Sequence, residues 1–527
     1  MKHRSFLCKL TAAALSCTLC CTGMTVPAAS ADDAAELPAR FDWREEAPEI
    51  LTPVKTQYGG TCWAYSTISC AESDLIKKGM ADSSLDLSET HLIWFCSGEP
   101  APTDPEDPCY GSRSPYGTKA YTMVPGMGSY EPPLACLTGW QGVVLESDAP
   151  PHTDAQPLDE SLRYQSIAHL QNADYFDQTN PLEIKTQLAD KGPLRWGFYV
   201  SSNHPISKQA GYYFPDFTME DLKDGKYQGG WHAVVLVGWD DSYAKENFTH
   251  EAPGDGAWIF RNSWGDYENS DGGYFYVSYY EPSLSSIYVI YYDFEPVTNY
   301  GSLHHYNSSQ VRPFTPSPGY GYATANVFAA EKNEKIAAVG IFTNEPDTEY
   351  EISVYLLEPG FTDPEDGTLA AQLRGTEERK GFHTFKLPQS LAVETGQQYS
   401  VVLKTPAGAS MFIDQYSHRE KTSFYKIYLE DDKTYRDWTD CNIVGIGDIC
   451  IHVYTEYEGE AAPALRGDVS RDGRVNAVDL TLLKQVLLGR ERTDIDRKAA
   501  DWNGDGEINA EDAKGLLDFL LRISEAA

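Results

Sequence analysis

Apolar positions Ala64, Ile68, Ala71 and Leu75 recur at helical spacing, and Gly79 is a natural stop. The stretch CWAYSTISCAESDLIKKG therefore reads as a helix with Cys62 at its N-terminus. Residues 97–160 are rich in Pro, Gly and Asp and read as long loops. From about 190 to 295 the pattern turns strand-like: WHAVVLVGW, GAWIFRNSW and GYFYVSYY are apolar runs separated by Gly, Asp and Asn turns. Between about 296 and 456 helix signals fade and alternation takes over. YEISVYLL places Tyr350, Ile352, Val354 and Leu356 on one face, and GFHTFKL, QQYSVVLK and DICIHVYTEY alternate likewise, which predicts an all-β sandwich. EGEAAPAL, near 458–465, reads as a short linker. Two apolar helical stretches follow: Leu480, Leu483, Val486 and Leu487, then Leu516, Leu517, Phe519 and Leu520.

At 527 residues the chain is too long for one core, and two to four domains are expected. Hydrophobic residues make up 41% and aromatics 12%, so it is globular and not disordered. A net charge of −36 argues against nucleic acid or anionic lipid as partners, because both need basic surface. Lys2, Arg4 and Lys9, an apolar run from Leu10 to Cys21 and an A-x-A site at Ala29–Ala31 read as a signal peptide cut after Ala31. No later apolar run is long enough to span a membrane. The cut leaves seven cysteines: Cys62, Cys70, Cys96, Cys109, Cys136, Cys441 and Cys450. An odd number in an exported chain leaves one thiol unpaired. Cys441 and Cys450 flank a Gly-containing loop and suit a local disulfide.

A nucleophilic cysteine needs its thiolate favoured, a base to share the proton, and donors for an oxyanion. A helix N-terminus favours the thiolate. Gly59 and Gly60 let the backbone turn closely before Cys62, and Gln57 offers a side-chain donor. His232, entering the WHAVVLVGW strand, is the candidate base. Asn262 in RNSWG is the candidate orienting group, with Trp264 to shield their hydrogen bond. Cys70 reads as structural, and His304 and His305 as surface or fold residues. Together TQYGGTCWAY, LSETHL, WHAVVLVGW and NSWG, followed by GGYFYVSYY, resemble the papain-like (C1) cysteine peptidases over roughly residues 37–290. The resemblance implies an α+β fold with a helical half and a β-barrel-like half. It makes Cys62 the nucleophile, His232 the base and acid, Asn262 the orienter and Gln57 the oxyanion donor, with no catalytic cofactor. There are departures. The family's Cys-Gly-Ser-Cys-Trp is Gly-Gly-Thr-Cys-Trp here, and the cysteine that normally precedes the nucleophile in a disulfide is missing. Five residues, 32–36, separate the signal cut from the mature-like start, so the family's inhibitory propeptide is expected to be absent.

GDVSRDGRVNAVD and ADWNGDGEINAED are an internal duplication, 33 residues apart. Oxygen ligands recur at positions 1, 3, 5, 9 and 12 of each loop: Asp468, Ser470, Asp472, Asn476 and Asp479, then Asp501, Asn503, Asp505, Asn509 and Asp512. Gly473 and Gly506 make the sharp turn, and Arg474 and Glu507 offer backbone carbonyls at position 7. That is EF-hand-like Ca2+ chemistry for two ions. The absent leading helix and the Asp at position 12 resemble dockerin modules, which implies a cohesin domain of a scaffoldin as partner. Residues 296–456 resemble, by architecture and order, the lectin-like sandwich that follows some bacterial papain-like domains.

The expected organisation is multidomain: signal peptide 1–31, peptidase domain 32–295, β-sandwich 296–456, linker 457–466 and a small α calcium-binding dockerin 467–527. The expected function is a secreted, cell-surface or cellulosome-associated peptidase acting on proteins or peptides. The rival is a dockerin-displayed binding or adhesion protein on a weakly active papain-like scaffold, and amide-group transfer on the same dyad is a third reading.

Overall fold

A computed structural model describes residues 37–97, 131–151 and 158–458, apart from short stretches inside the last span, and most of 467–525. The signal segment and Cys109 lie outside the described residues. The described chain enters through strand β1 (Arg40–Asp42). Asp42 then caps helix α1 (Trp43–Glu46) by accepting the Arg44 N–H at 2.9 Å. Helix α2 (Cys62–Lys77) starts at the candidate nucleophile, as its spacing predicts, and is buried from Trp63 to Ile76. Two shorter helices follow: α3 (Glu89–Ser97) packs beside it, and α4 (Glu131–Thr138) packs on α3. The second of these corrects the reading of 97–160 as loops. Pro132 and Pro133 fall in its first turn, where a missing N–H costs nothing, so the prolines that suggested a loop are compatible with a helix start. Helix α5 (Pro181–Lys191) is capped by Asn180, whose side chain accepts the Glu183 N–H.

Strands β2 (Ala168–Phe176), β3 (Leu194–Ser201), β4 (Gly229–Asp240), β5 (Ala257–Arg261), β6 (Tyr274–Ser278) and β7 (Val289–Pro296) form an antiparallel sheet in the order β6-β5-β4-β3-β7-β2. One face carries an aromatic core. Trp196 meets Trp258 at 5.5 Å, Phe198 meets Phe260 at 6.0 Å, and Phe260 meets Phe275 at 5.9 Å between ring centroids. Each such buried ring contributes roughly 1.5–3 kcal/mol of hydrophobic stabilisation. Helix α2 covers the other face, packing on β4, β3 and β7. Period-2 alternation thus sends Leu194, Trp196 and Phe198 into the aromatic core and Arg195 toward the face covered by α2.

The sheet does not end where the sequence places the domain boundary. β2 pairs with the strand Lys380–Val393 through Tyr175↔Lys380, Asp174↔Gly381 and Ala173↔Phe382. It then runs on through Glu334–Thr343, Ile451–Thr455 and Leu303–His304. A second sheet, Gly367–Glu377, Thr348–Leu357, Gln398–Thr405, Tyr320–Ala329 and Ser423–Leu429, closes the sandwich. Ile352, Val354, Val401, Ile341, Ile451 and Val453 fill the space between. Alternation in YEISVYLL therefore gives the right face. Cys441 and Cys450 are buried free thiols, as are Cys70, Cys96 and Cys136, so the local disulfide expected between the first two is not formed. Cys441 opens a helical turn (Cys441–Val444), and Cys450 adjoins the strand Asp448–Ile449.

In the C-terminal module, helices α6 (Ala477–Leu487) and α7 (Ala510–Glu525) follow the two acidic loops. Val469, Leu480, Leu483, Ile495, Ala500 and Leu516 make its core.

Candidate active site

The segment before Cys62 is held as a strand against the one that carries Asn262. Thr56 bridges Trp264, the Gln57 N–H donates to Ser263 O at 2.6 Å, and the Gly265 N–H donates to Lys55 O at 3.0 Å. Gly265 has φ +67°, and a Cβ there would lie 2.5 Å from Thr56 Oγ1, so the glycine of NSWG is what permits the pairing. Gln57 is fixed by its neighbours: Oε1 accepts from Ser263 Oγ at 2.7 Å, and Nε2 donates to Gly59 O at 2.7 Å. One of its two amide hydrogens remains for another acceptor.

His232 Nε2 donates to Asn262 Oδ1 at 2.7 Å, which turns Nδ1 toward Cys62. Asn262 Oδ1 also accepts the Ser263 N–H at 2.9 Å, so the orienting oxygen is pinned from two sides. The Trp264 indole stacks on the imidazole at 4.7 Å and 23°, covering the bond from water. The Ala233 N–H points at Cys62 Sγ, 3.5 Å away. Burial pushes the Cys62 thiol up. The hydrogen bond and charge of His232, the Ala233 N–H and the Arg195 charge outweigh it and bring the thiol below the usual cysteine value. Thr61, at the N-cap, gives its hydroxyl to Tyr58 O and makes no side-chain cap, so its side chain takes up none of the N–H groups at the Cys62 end of the helix. Cys70, two turns on, is pushed by burial up to about 12 and is an inert core thiol, as read from sequence.

Several supporting residues escaped sequence reasoning. Lys55 bonds Glu72, Glu89 and Asp86 at 3.0, 3.0 and 2.7 Å, tying the Gln57 strand to α2 and α3. Arg261, next to Asn262, donates to Ser69 Oγ at 2.6 Å and to Pro53 O at 2.7 Å. Arg195 is buried within β3. The signal available was a cation inside each otherwise apolar or turn-like stretch. Of the histidine pair read as surface or fold residues, His305 is core.

The acidic loops are described in part. Asp479 and Asp512, both fully buried, accept the backbone N–H groups of Ser470 and Asn509 at 2.8 and 2.7 Å. Asp501 accepts the Gly506 N–H at 2.8 Å across a turn with φ +87° at Gly506. Asn509 Oδ1 accepts the Glu511 N–H, and Glu507 comes two residues before Asn509 in the loop. Buried position-12 carboxylates and an Asp folded onto the position-6 glycine fit a hard cation held by oxygens. Asp468, Asp472, Arg474, Asn476, Asn503 and Asp505 lie outside the described residues.

Comparison with known proteins agrees with this layout. Residues 37–287 match the papain family cysteine protease model, 314–455 the lectin like domain model and 466–521 the dockerin type I domain model. Among curated relatives, a viral cathepsin of Cydia pomonella granulosis virus is 30% identical over 244 residues, 46% of this chain and 58% of that protein. Rattus norvegicus procathepsin L is 25% identical over 243 residues, 45% of this chain and 59% of that protein. The match thus spans under two thirds of the length of either relative. Among solved structures, the cysteine protease and lectin-like domains of Cwp84, a surface layer associated protein of Clostridium difficile, superpose with a TM-score of 0.60. That likeness covers 80% of this chain and 90% of the other at 20% identity, and so bears on the fold. Residues 37–287 are thus similar to the papain family cysteine proteases, and matches to a lectin-like domain and a type I dockerin domain follow in order.

Proposed function

We propose that the chain hydrolyses peptide bonds through a thioester on Cys62 and is docked outside the cell by its C-terminal module. The observation that carries the chemistry is the relay in which Asn262 holds His232 Nε2 and leaves Nδ1 to the thiol. The thiolate attacks the scissile carbonyl carbon. The oxyanion that forms is met by the N–H groups at the start of α2 and by the remaining amide hydrogen of Gln57. Imidazolium His232 then gives its proton to the leaving amine, and the C–N bond breaks, leaving the thioester. Water enters, His232 takes its proton, and attack on the thioester carbonyl releases the acid and returns the thiolate. Trp264 keeps the His232–Asn262 bond dry throughout.

The dockerin match supports a cohesin domain as partner and Ca2+ as the loop cation. In that reading Asp468, Ser470, Asp472, Arg474, Asn476 and Asp479 hold one ion, and Asp501, Asn503, Asp505, Glu507, Asn509 and Asp512 the other. The cation supplies folding of the two loops and takes no part in the chemistry. The basic and apolar N-terminal segment supports export.

The test is digestion of a peptide library by wild-type and Cys62→Ala protein in parallel. Cleavage by the first and none by the second is expected. Equal cleavage by both removes Cys62 from the chemistry, and no cleavage by the wild-type protein favours the rival in which the scaffold only binds.

A further inference from the structure

The face of the sheet under α2 carries an unusual charge for a protein interior. Register places Arg261 on β5 opposite Val235 on β4, and Val235 opposite Arg195 on β3, which faces Ile290 on β7. Residues opposite one another across antiparallel strands project to the same face. Arg261 on this row reaches Ser69 of α2 at 2.6 Å. Tyr292, two residues beyond Ile290 and on the same face, interacts with Thr67 of α2. Arg195 stands between these two contacts. The α2 side chains between Thr67 and Ser69 on that surface are Ser66 and Cys70, one and two turns on from Cys62 at i+4 spacing. Arg195, only 1% exposed, therefore projects from the face on which α2 packs, under the ridge that begins with the nucleophile.

We propose that Arg195 is a positioning residue for the nucleophile, its buried guanidinium beneath the first two turns of α2 holding Cys62 in the thiolate form. The physical reason is that a cation out of water acts over longer range than one at the surface, and favours any anion that can form near it. Other titratable groups around the ridge have their own engagements. His232 faces Cys62 from β4. Glu72 on α2 accepts from Thr52 Oγ1 and the Leu87 N–H and pairs with Lys55. Asp74 accepts from Lys78 Nζ and Tyr291 Oη. Arg261 is bound to Ser69, Thr52 and Pro53. Tyr292 and Cys70 are held neutral by burial. Cys62 is thus the group on this face whose ionisation the chemistry calls for, and the Arg195 charge lowers its thiol alongside that of His232. A helix dipole and a histidine serve nucleophilic cysteines generally. A buried arginine on the neighbouring strand adds a third, fixed source of the same field.

This inference rests on the peptidase reading, and its test is separable from that of the reading. The pH dependence of iodoacetamide alkylation at Cys62, located by peptide mass, is measured on the full-length protein. Wild-type protein, Arg195→Met and Arg195→Lys are compared, with circular dichroism confirming the fold. The alkylation midpoint is expected to rise by about one pH unit in Arg195→Met, a tenfold loss of thiolate at a given acidic pH. Arg195→Lys, which keeps the charge, should stay near wild type. A folded Arg195→Met with an unmoved midpoint overturns the inference, as does Arg195→Lys shifting as far as Arg195→Met. Should Arg195→Met not fold, His232→Ala decides. With the imidazole gone, the inference expects the Cys62 midpoint to stay no higher than an ordinary cysteine, about 8.5. A midpoint driven well above that value by burial overturns it. Loss of the peptidase reading shows differently, as wild-type protein whose cleavage does not depend on Cys62.

Discussion

At the residue scale, the site holds its groups by contacts that act on different steps, so substitutions should separate. Asn262→Ala removes the acceptor that fixes the His232 tautomer but leaves Cys62 and its helix intact. Its kcat/KM should fall by about 10- to 100-fold, part of the general acid–base contribution, while alkylation of Cys62 at pH 8 continues. Gln57→Ala should lower kcat by roughly 100-fold with KM little changed, because an oxyanion donor acts only once the carbonyl has become tetrahedral. Steady-state kinetics on one peptide substrate, set beside alkylation rates, checks both. Equal losses in alkylation and turnover for Asn262→Ala would mean that the asparagine holds the fold and not the imidazole. Cys62, His232, Asn262 and Gln57 were legible in the sequence because each sits in a short motif with its own chemistry. Lys55, Arg195 and Arg261 were not. Their meaning depends on which strand faces which helix, and that is set by long-range register.

At the scale of elements, the main departure from the sequence reading is the strand pairing that joins β2 to Lys380–Val393. Alternation showed that both were strands, but a period of two says nothing about which edge meets which. Gly381 carries the joint. Its φ is +144°, and a Cβ there would stand 1.8 Å from Ala173 O, a backbone atom that cannot move aside. Thr384 adds to it, donating from Oγ1 to Gln171 O at 2.8 Å and from its N–H to Asn172 Oδ1 at 2.9 Å. Gly381→Ala should therefore cost about 2 kcal/mol or more and split one cooperative urea transition into two, the sandwich and the peptidase half unfolding apart. A mutant with a single transition at the wild-type midpoint would remove the joint from the account. The acidic loops make a second element-scale case. EDTA should lower the melting temperature of the C-terminal module and abolish cohesin binding while hydrolysis by Cys62 continues. Loss of hydrolysis in step with cohesin binding would contradict this separation.

At the scale of the whole molecule, the joint between peptidase half and sandwich is lined by histidines whose role no motif announces. His169 on β2 stacks on Trp140 at 3.7 Å, and its Nδ1 meets Asn299 Oδ1 at 3.1 Å. His305 and His452 lie 4.8 Å apart, and His452 Nε2 donates to Asn307 Oδ1 at 2.7 Å. Burial holds His169 down to about 4 and His305 to about 3, with His452 also well below the usual value. These groups stay neutral in the folded chain and take up protons near pH 6.5 once unfolded, so the stability they allow is lost as pH falls below about 6.5. Glu89, pushed by burial up to about 8, and Glu281, to about 7, titrate with the opposite sign, because the folded chain keeps their protons where the unfolded chain does not. The melting curve of the wild-type protein alone therefore mixes both effects, and a difference between variants isolates one. His169→Phe keeps the stack on Trp140 and loses the bond to Asn299, so it should be less stable than wild type at pH 7 by about 1 kcal/mol. Between pH 6.5 and pH 5 the unfolded wild-type chain binds a proton at His169 that the variant cannot bind. The difference should shift in favour of the variant by about 2 kcal/mol over that interval. Urea unfolding of both proteins at pH 7 and pH 5 measures it. A difference that stays constant would show His169 taking up its proton in the folded chain as readily as in the unfolded one, and the joint would then hold a buried imidazolium at pH 5.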